Sequence, residues 1–205
     1  MPDLYYMAPG NNAPLITVCG VLSCNQLRRH EALAELTVSI ADPSVNSRRR
    51  DRVVDGRPLH DYVPLYWATH TPMQYVVTQK ERRLRQEDLV FFVFDSNDVL
   101  DVPGVLTTDG NAASEATTFY RGRAGLQYLD WKILRTRDCY SPEYKRRKAA
   151  EVLVPGKIDA ALIKHVAVLS AMARVGLLVA LGELRETLDL AVELPPIQVD
   201  PNLYY

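Results

Sequence analysis

Leu59-His60-Asp61-Tyr62-Val63-Pro64-Leu65-Tyr66-Trp67, followed by Thr71-Pro72-Met73-Gln74-Tyr75, is the stretch on which the fold turns. Residues 62–67 are a short apolar run with aromatic and β-branched members, which predicts a strand. Side chains alternate across a strand, so Tyr62 and Tyr66 share one face and Trp67 takes the other. Aromatics in such a run read as core, or as a platform on which nicotinamide or a nucleobase stacks.

Outward from this run, residues 89–94, 151–154, 166–169 and 190–199 are further apolar stretches that predict strands. Residues 173–188 predict a helix, because Leu177, Leu178, Leu181, Leu184 and Leu188 recur at helical spacing. Residues 141–150 open on Ser-Pro and are rich in Lys, Arg and Ala, which predicts a short basic helix. Residues 15–22 fit helix or strand, with β-branching in favour of strand. Residues 41–58 and 79–88 are polar and charged, with little to bury, and predict mobile loops. No repeat or low-complexity tract interrupts the chain, and 205 residues suit one domain over 1–205. The class is α+β.

The formal net charge is −1, so the basic excess of many nucleic-acid binders is missing. The basic residues are clustered instead: Arg48, Arg49, Arg50 and Arg52; Arg82, Arg83 and Arg85; Lys145, Arg146, Arg147 and Lys148. Such patches attract phosphates even on a neutral protein. Cys19, Cys24 and Cys139 have neither an even count nor a regular spacing, which argues against a disulfide framework or a zinc motif. His30, His60, His70 and His165 do not form a metal set. A P-loop, a G-x-G-x-x-G turn and a Ser-His-Asp pattern are all absent. No signal peptide is read at the N-terminus, and charges at Lys164, His165 and Arg174 break the apolar stretch 161–182, so no membrane span is expected. The expectation is a cytoplasmic protein.

Glu151 follows the basic stretch and opens the apolar run Val152-Leu153-Val154. A carboxylate at the edge of a core strand is an uncomfortable place for a charge. It reads either as a residue paired with a nearby Lys or Arg, or as a carboxylate aimed into a cleft. The arginines of 48–52 read as a solvated charge run or as contacts to phosphates.

In their order along the chain these pieces resemble the DarT family of DNA ADP-ribosyltransferases. Residues 59–67 with 71–75 are similar to that family's D-x-V-P-F-Y … S-P-M-x-Y signature. Ala149-Ala150-Glu151-Val152-Leu153-Val154, after a basic helix, is similar to its A-E-x-L-V signature. Arg49-Arg50, Asp109-Gly110-Asn111-Ala112-Ala113 and the terminal Pro201-Asn202-Leu203-Tyr204-Tyr205 also fall where members have their counterparts. One motif departs. Tyr5-Tyr6-Met7-Ala8 stands where the family has Y-H-I-T, so Tyr6 replaces a histidine that holds the NAD ribose, and Ala8 replaces a hydroxyl.

The resemblance implies a split-NAD fold with a central mixed or antiparallel sheet cleft, NAD as co-substrate and no metal. It implies transfer of ADP-ribose to a base of single-stranded DNA, as a toxin countered by a macrodomain antitoxin of the DarG kind; apart from the resemblance, a monomer is expected. Glu151 matches the catalytic glutamate. Arg50, or Arg49 beside it, matches an arginine that activates the target base. Tyr6, Asn25, Tyr66, Met73 and Tyr75 match positions at the NAD site. Arg49, Arg52, Arg146 and Arg147 are expected to meet the strand's phosphates. Two other readings stand beside this one: transfer to RNA, a nucleoside or a small molecule, and a nucleotide- or strand-binding domain without catalysis.

Overall fold

Leu89–Phe94 is apolar at every position and forms a strand buried along its whole length, at the heart of the sheet. Around it the computed structural model describes residues 1–137, 141–189 and 194–205. The first half holds β1 (Leu4–Pro9), α1 (Ala13–Cys19), β2 (Val21–Leu22), α2 (Cys24–Arg29), α3 (Glu31–Leu36), α4 (Pro43–Asp51), β3 (Val53–Val54), β4 (Arg57–Pro58), β5 (Tyr62–Tyr66), α5 (Pro72–Tyr75) and β6 (Leu89–Phe94). The second holds α6 (Ser96–Leu100), β7 (Leu106–Thr108), β8 (Phe119–Arg121), α7 (Trp131–Arg135), α8 (Pro142–Lys148), β9 (Glu151–Pro155), β10 (Lys157–Ile158), β11 (Ile163–Val168), α9 (Ala171–Leu188) and β12 (Ile197–Val199).

The main sheet runs β12-β11-β6-β1-β5-β9-β7-β8. Its neighbours pair antiparallel except β11 with β12. This is the mixed, largely antiparallel α+β sheet that the sequence predicts. One face packs Leu4, Leu65, Phe92 and Val152 with Leu177 and Leu181 of α9. The other carries two smaller clusters, one around Phe91 and Tyr204 and one around Tyr62 and Leu153. The predicted strands at 62–67, 89–94 and 151–154 coincide with β5, β6 and β9 to within a residue. Trp67 lies just past β5, buried, its ring edge-on to Trp131 at 5.4 Å.

Three expectations need correction. Residues 15–22 are mostly helix, not strand: Pro14 starts α1 and Gly20 ends it at φ 75°. A Cβ at Gly20 would collide with the Ile158 carbonyl, so the helix stops there with close backbone packing. The core gain from Ala13, Ile16 and Thr17 outweighs the small helix penalty of β-branching.

Residues 41–58 are not a loop. Asp42 caps the N–H groups of Ser44 and Val45, Pro43 occupies the first turn, and α4 follows. Asp55-Gly56, both at positive φ, then turns a hairpin between β3 and β4. Apart from Arg49, whose side chain is largely covered, the charges of α4 face solvent and resemble those of a loop.

The run expected at 190–199 is a strand only over β12. Residues 190–193 lie outside the described set, and Pro195-Pro196 has no N–H to give a ladder. In α9, Leu177 and Leu181 are buried while Leu178 is half exposed, and the side chain of Leu188 is outside the described set.

Candidate active site

Strands β1 and β5 are paired only at Tyr5 and Tyr66. Beyond that point they part, and a cavity of about 550 Å³ opens between them. Its size suits a nucleotide-bearing ligand. Tyr6, Arg49, His60, Tyr66, Met73 and Asn111 are on its wall. Burial is the main cause that pushes the Tyr6 hydroxyl up to about 12, with Cys24 adding to it. Tyr66 is raised further, by burial first and by Glu151 second. Both phenols stay protonated at neutral pH and can donate hydrogen bonds.

Glu151 begins β9, directly opposite Tyr66 in the ladder, and is fully buried. Its backbone N–H donates to Thr108 Oγ1 at 2.9 Å. Its Oε1 accepts from the Ala112 N–H at 3.0 Å. Arg49 Nη1 reaches both carboxylate oxygens, at 3.1 and 2.8 Å. Burial works against the Arg49 charge, but the adjacent carboxylate outweighs it and raises the pKa. The side chain of Arg49 is 12 % exposed and that of Glu151 0 %, so the pair is desolvated. Arg49 lines the cavity and stands between it and the carboxylate. Of the two readings left open by the sequence, the structure shows the pairing with an arginine; the cavity wall carries Arg49 and not the carboxylate itself.

Arg50 is one position further along α4 and is exposed. A helix turns about 100° per residue, so only one of two adjacent arginines can face inward. The inward one is Arg49; Arg50, first of the two expected to act on the target base, is not on the cavity wall.

The segment 109–118, which brings Ala112 to Glu151, is held by two arginines that the sequence suggested for phosphate contact. Arg146 Nη1 donates to Asp109 Oδ1 (3.1 Å) and Thr117 Oγ1 (3.2 Å), and the Arg146 carbonyl accepts from the Asn111 N–H (2.9 Å). Arg146 also pairs with Glu143, and its side chain is only 11 % exposed. Arg52 donates to the carbonyls of Ser114 and Thr117, and its guanidinium lies 4.8 Å from the Phe119 ring centre. Arg147 pairs with Glu143 and Asp130. The donors of Arg52 and Arg146 are thus committed within the protein, while Arg147, 44 % exposed, holds its partners at the surface.

Two further positions move. Asn25 does not line the cavity; its Nδ2 donates to Asp61 Oδ1 at 2.8 Å and ties α2 to the turn before β5. Tyr75 is half exposed and its ring meets Tyr205 edge-on at 5.6 Å, away from the cavity wall. Tyr6, Tyr66 and Met73 are brought together on that wall. Sequence reasoning passed over Thr108, and gave no site role to Asn111, Ala112 or His60 although they lie in stretches that resemble the family. Thr and Ala carry no patterned signal, because their roles depend on a loop whose fold is not local. Among the described residues no group of His, Cys, Asp or Glu could hold a metal ion.

Comparison with known proteins places this geometry. The family model described as "ssDNA thymidine ADP-ribosyltransferase, DarT" matches residues 5–205. A DNA ADP-ribosyl transferase of Thermus sp. (strain 2.9) is 32% identical over 159 residues, covering 74% of this chain and 76% of that one. A fusion protein of Thermosipho africanus (strain H17ap60334), DNA ADP-ribosyl transferase with DNA ADP-ribosyl glycohydrolase, is 29% identical over 165 residues. That match covers 77% of this chain and 40% of the fusion. The solved structure "Thermus sp. 2.9 DarT in complex with ADP-ribosylated ssDNA" superposes with a TM-score of 0.83 at 25% identity, over 100% of this chain and 96% of that one.

Proposed function

The chain belongs to the DarT family, and from that premise we propose that it transfers ADP-ribose from NAD to a nucleobase of single-stranded DNA. The observation that carries this reading is the buried Arg49–Glu151 pair at the edge of the cavity between β1 and β5. NAD lies in that cavity, against Tyr6, Tyr66 and Met73. The bond between the ribose C1 and the nicotinamide nitrogen breaks, and its electron pair leaves with nicotinamide. The sugar carbon develops the oxocarbenium charge familiar from glycoside hydrolysis. Glu151 is held in place by the Ala112 N–H and by its strand, and once Arg49 turns from it toward the acceptor its negative charge faces that cation. This favours the transition state over the ground state.

A ring nitrogen of the acceptor base forms the new bond to C1, and its proton is released to solvent. Arg49 is the residue for this side of the reaction, in preference to Arg50. Its guanidinium remains charged, so it acts by holding the negative charge of the deprotonating base, not as the proton acceptor. Tyr6 supplies the donor that the family's histidine gives to the ribose.

Residues 1–205 are read as one such domain. The fused relative from Thermosipho africanus carries a DNA ADP-ribosyl glycohydrolase. A glycohydrolase of that kind is the partner proposed to reverse the mark, as antitoxin to this chain as toxin. Among the described residues no helix is long and apolar enough to cross a membrane. The cytoplasm, where NAD and DNA are both present, is the proposed place of action.

The test is incubation of the purified protein with NAD and mixed-sequence DNA and RNA oligonucleotides, read by intact mass. A gain of one ADP-ribose on single-stranded DNA, lost in Glu151→Ala, is expected. A gain on RNA alone would overturn the choice of strand. No gain on either strand would overturn nucleic-acid transfer.

A further inference from the structure

His60 sits in the 3-10 turn Leu59–Asp61, which enters β5. The turn is tied to α2 through Asn25 and Asp61 and to the end of α4 through the Leu59 N–H and the Arg52 carbonyl (2.9 Å). The imidazole is 3 % exposed, lines the cavity, and has no well-formed hydrogen bond at either ring nitrogen. A buried polar group left so costs on the order of 1–3 kcal/mol and calls for an explanation. Arg28, in the last turn of α2, lines the same cavity. Among the described residues neither Arg28 nor Arg50 has an ion-pair or hydrogen-bond partner.

The electrostatics agree with this geometry. Burial holds His60 below the usual imidazole range, and Arg28, Arg49 and Arg50 push it the same way, with only the Asn46 backbone opposing them. Cations from two helices therefore converge on one unsatisfied donor, and only Arg49 has its anion, Glu151. A metal ion would be repelled there. A phosphate fits: it accepts from an imidazole N–H and from a guanidinium fork, and its charge answers the field.

We propose that His60 and Arg28, with Arg50 adding its charge from α4, form an oxyanion subsite of the cavity that takes a phosphate group of a nucleotide ligand. The subsite rests on reading the cavity as the NAD site. Its phosphate comes either from the pyrophosphate of the dinucleotide or from a phosphodiester beside the target base. Either source would leave a neutral His60 facing new negative charge, which raises its pKa. With only four histidines in the chain, the Cε1–H resonance of His60 can be followed through a pH titration.

The experiment uses the full chain and titrates ADP-ribose, adenosine as a phosphate-free control, and a mixed-sequence single-stranded oligonucleotide. Arg28→Gln changes an exposed side chain, and His60→Leu removes the buried donor while keeping it apolar. The expected result is at least a tenfold loss of ADP-ribose affinity in both, unchanged adenosine binding, and a rise in the wild-type His60 pKa when ADP-ribose binds. Loss confined to the oligonucleotide, with the log–log salt slope lower by about one for Arg28→Gln, would support the subsite and assign it to the strand. If Arg28→Gln binds both ligands within twofold of wild type, the subsite is overturned while the cavity reading stands. Wild-type protein that binds neither ligand would overturn both.

Discussion

The backbone N–H of Ala112 donates to Oε1 of Glu151 at 3.0 Å, across 39 residues of sequence. A loop thus fixes the carboxylate proposed to meet the sugar cation, and the carboxylate in turn fixes the loop. Glu151→Gln keeps an acceptor for Ala112 but removes the charge. Loss of an oriented electrostatic group of this kind costs about 100- to 1,000-fold in turnover. It also strands a buried guanidinium, so stability should fall, by about 2–4 kcal/mol given the slight exposure of Arg49. Single-turnover rates and thermal melts read the two effects separately. A variant that turns over at the wild-type rate would remove Glu151 from the chemistry.

Arg49 and Arg50 are neighbours in sequence with different surroundings. Arg49→Lys retains a charge but loses the planar guanidinium whose Nη1 reaches both carboxylate oxygens and whose Nη2 is left for the acceptor, so kcat should drop at least tenfold. Arg50→Ala touches no reacting group and should raise KM with kcat nearly unchanged. Steady-state kinetics of both variants decide the matter. The reverse pattern, with kcat lost in Arg50→Ala and kept in Arg49→Lys, would put Arg50 at the acceptor.

The part of the cavity wall that strands make was legible in the sequence. The alternation in β5 and the apolar opening of β9 are local, and they place Tyr66 and Glu151 opposite each other once paired. What was not legible depends on helix phase and on contacts distant in sequence. Arg49 and Arg50 are interchangeable until α4 is known to be a helix whose inward side is Arg49. Arg52 and Arg146 look like free phosphate ligands until segment 109–118 folds onto them. Asn25 and Tyr75 carry the family's pattern but are turned to Asp61 and Tyr205.

Arg146 holds the segment that holds Glu151, so it should act on turnover and leave binding alone. Arg146→Ala is expected to lower kcat by roughly tenfold through loss of preorganised geometry, with ADP-ribose affinity unchanged. Gly110→Ala offers an independent route to the same defect. A Cβ there would collide with the Arg146 guanidinium and crowd its carbonyl oxygen, 3.0 Å away. The double variant should be no worse than the poorer single one, because both break one clamp. Additive losses, or a loss of affinity equal to the loss of rate, would return Arg146 to phosphate binding.

Acid should weaken the fold through its buried imidazoles. His70 Nε2 lies 2.9 Å from the Tyr204 carbonyl oxygen and Nδ1 lies 3.2 Å from Thr69 Oγ1. A neutral ring with its hydrogen on Nε2 satisfies both. Burial lowers the pKa of His70 in spite of that carbonyl, and burial is also the first cause that lowers His60 and His165. When the folded pKa is below the unfolded one, the unfolded chain takes up protons first. Stability is then flat above the ordinary imidazole range, around pH 6.5, and declines as pH falls through it toward the folded values. Glu143 acts in a lower window. Arg146 and then Arg147 hold its pKa at about 2, so its contribution is complete above the usual glutamate range and disappears only as pH approaches that value. Half exposed, it contributes little. Thermal melts at pH 7.5, 6.5 and 5.5 should therefore show a falling Tm. His70→Gln keeps a donor for the Tyr204 carbonyl and cannot titrate, so its Tm should fall less over the same interval. A wild-type Tm that holds or rises on acidification, or an unchanged slope in the variant, would rule out His70 as a source of acid sensitivity.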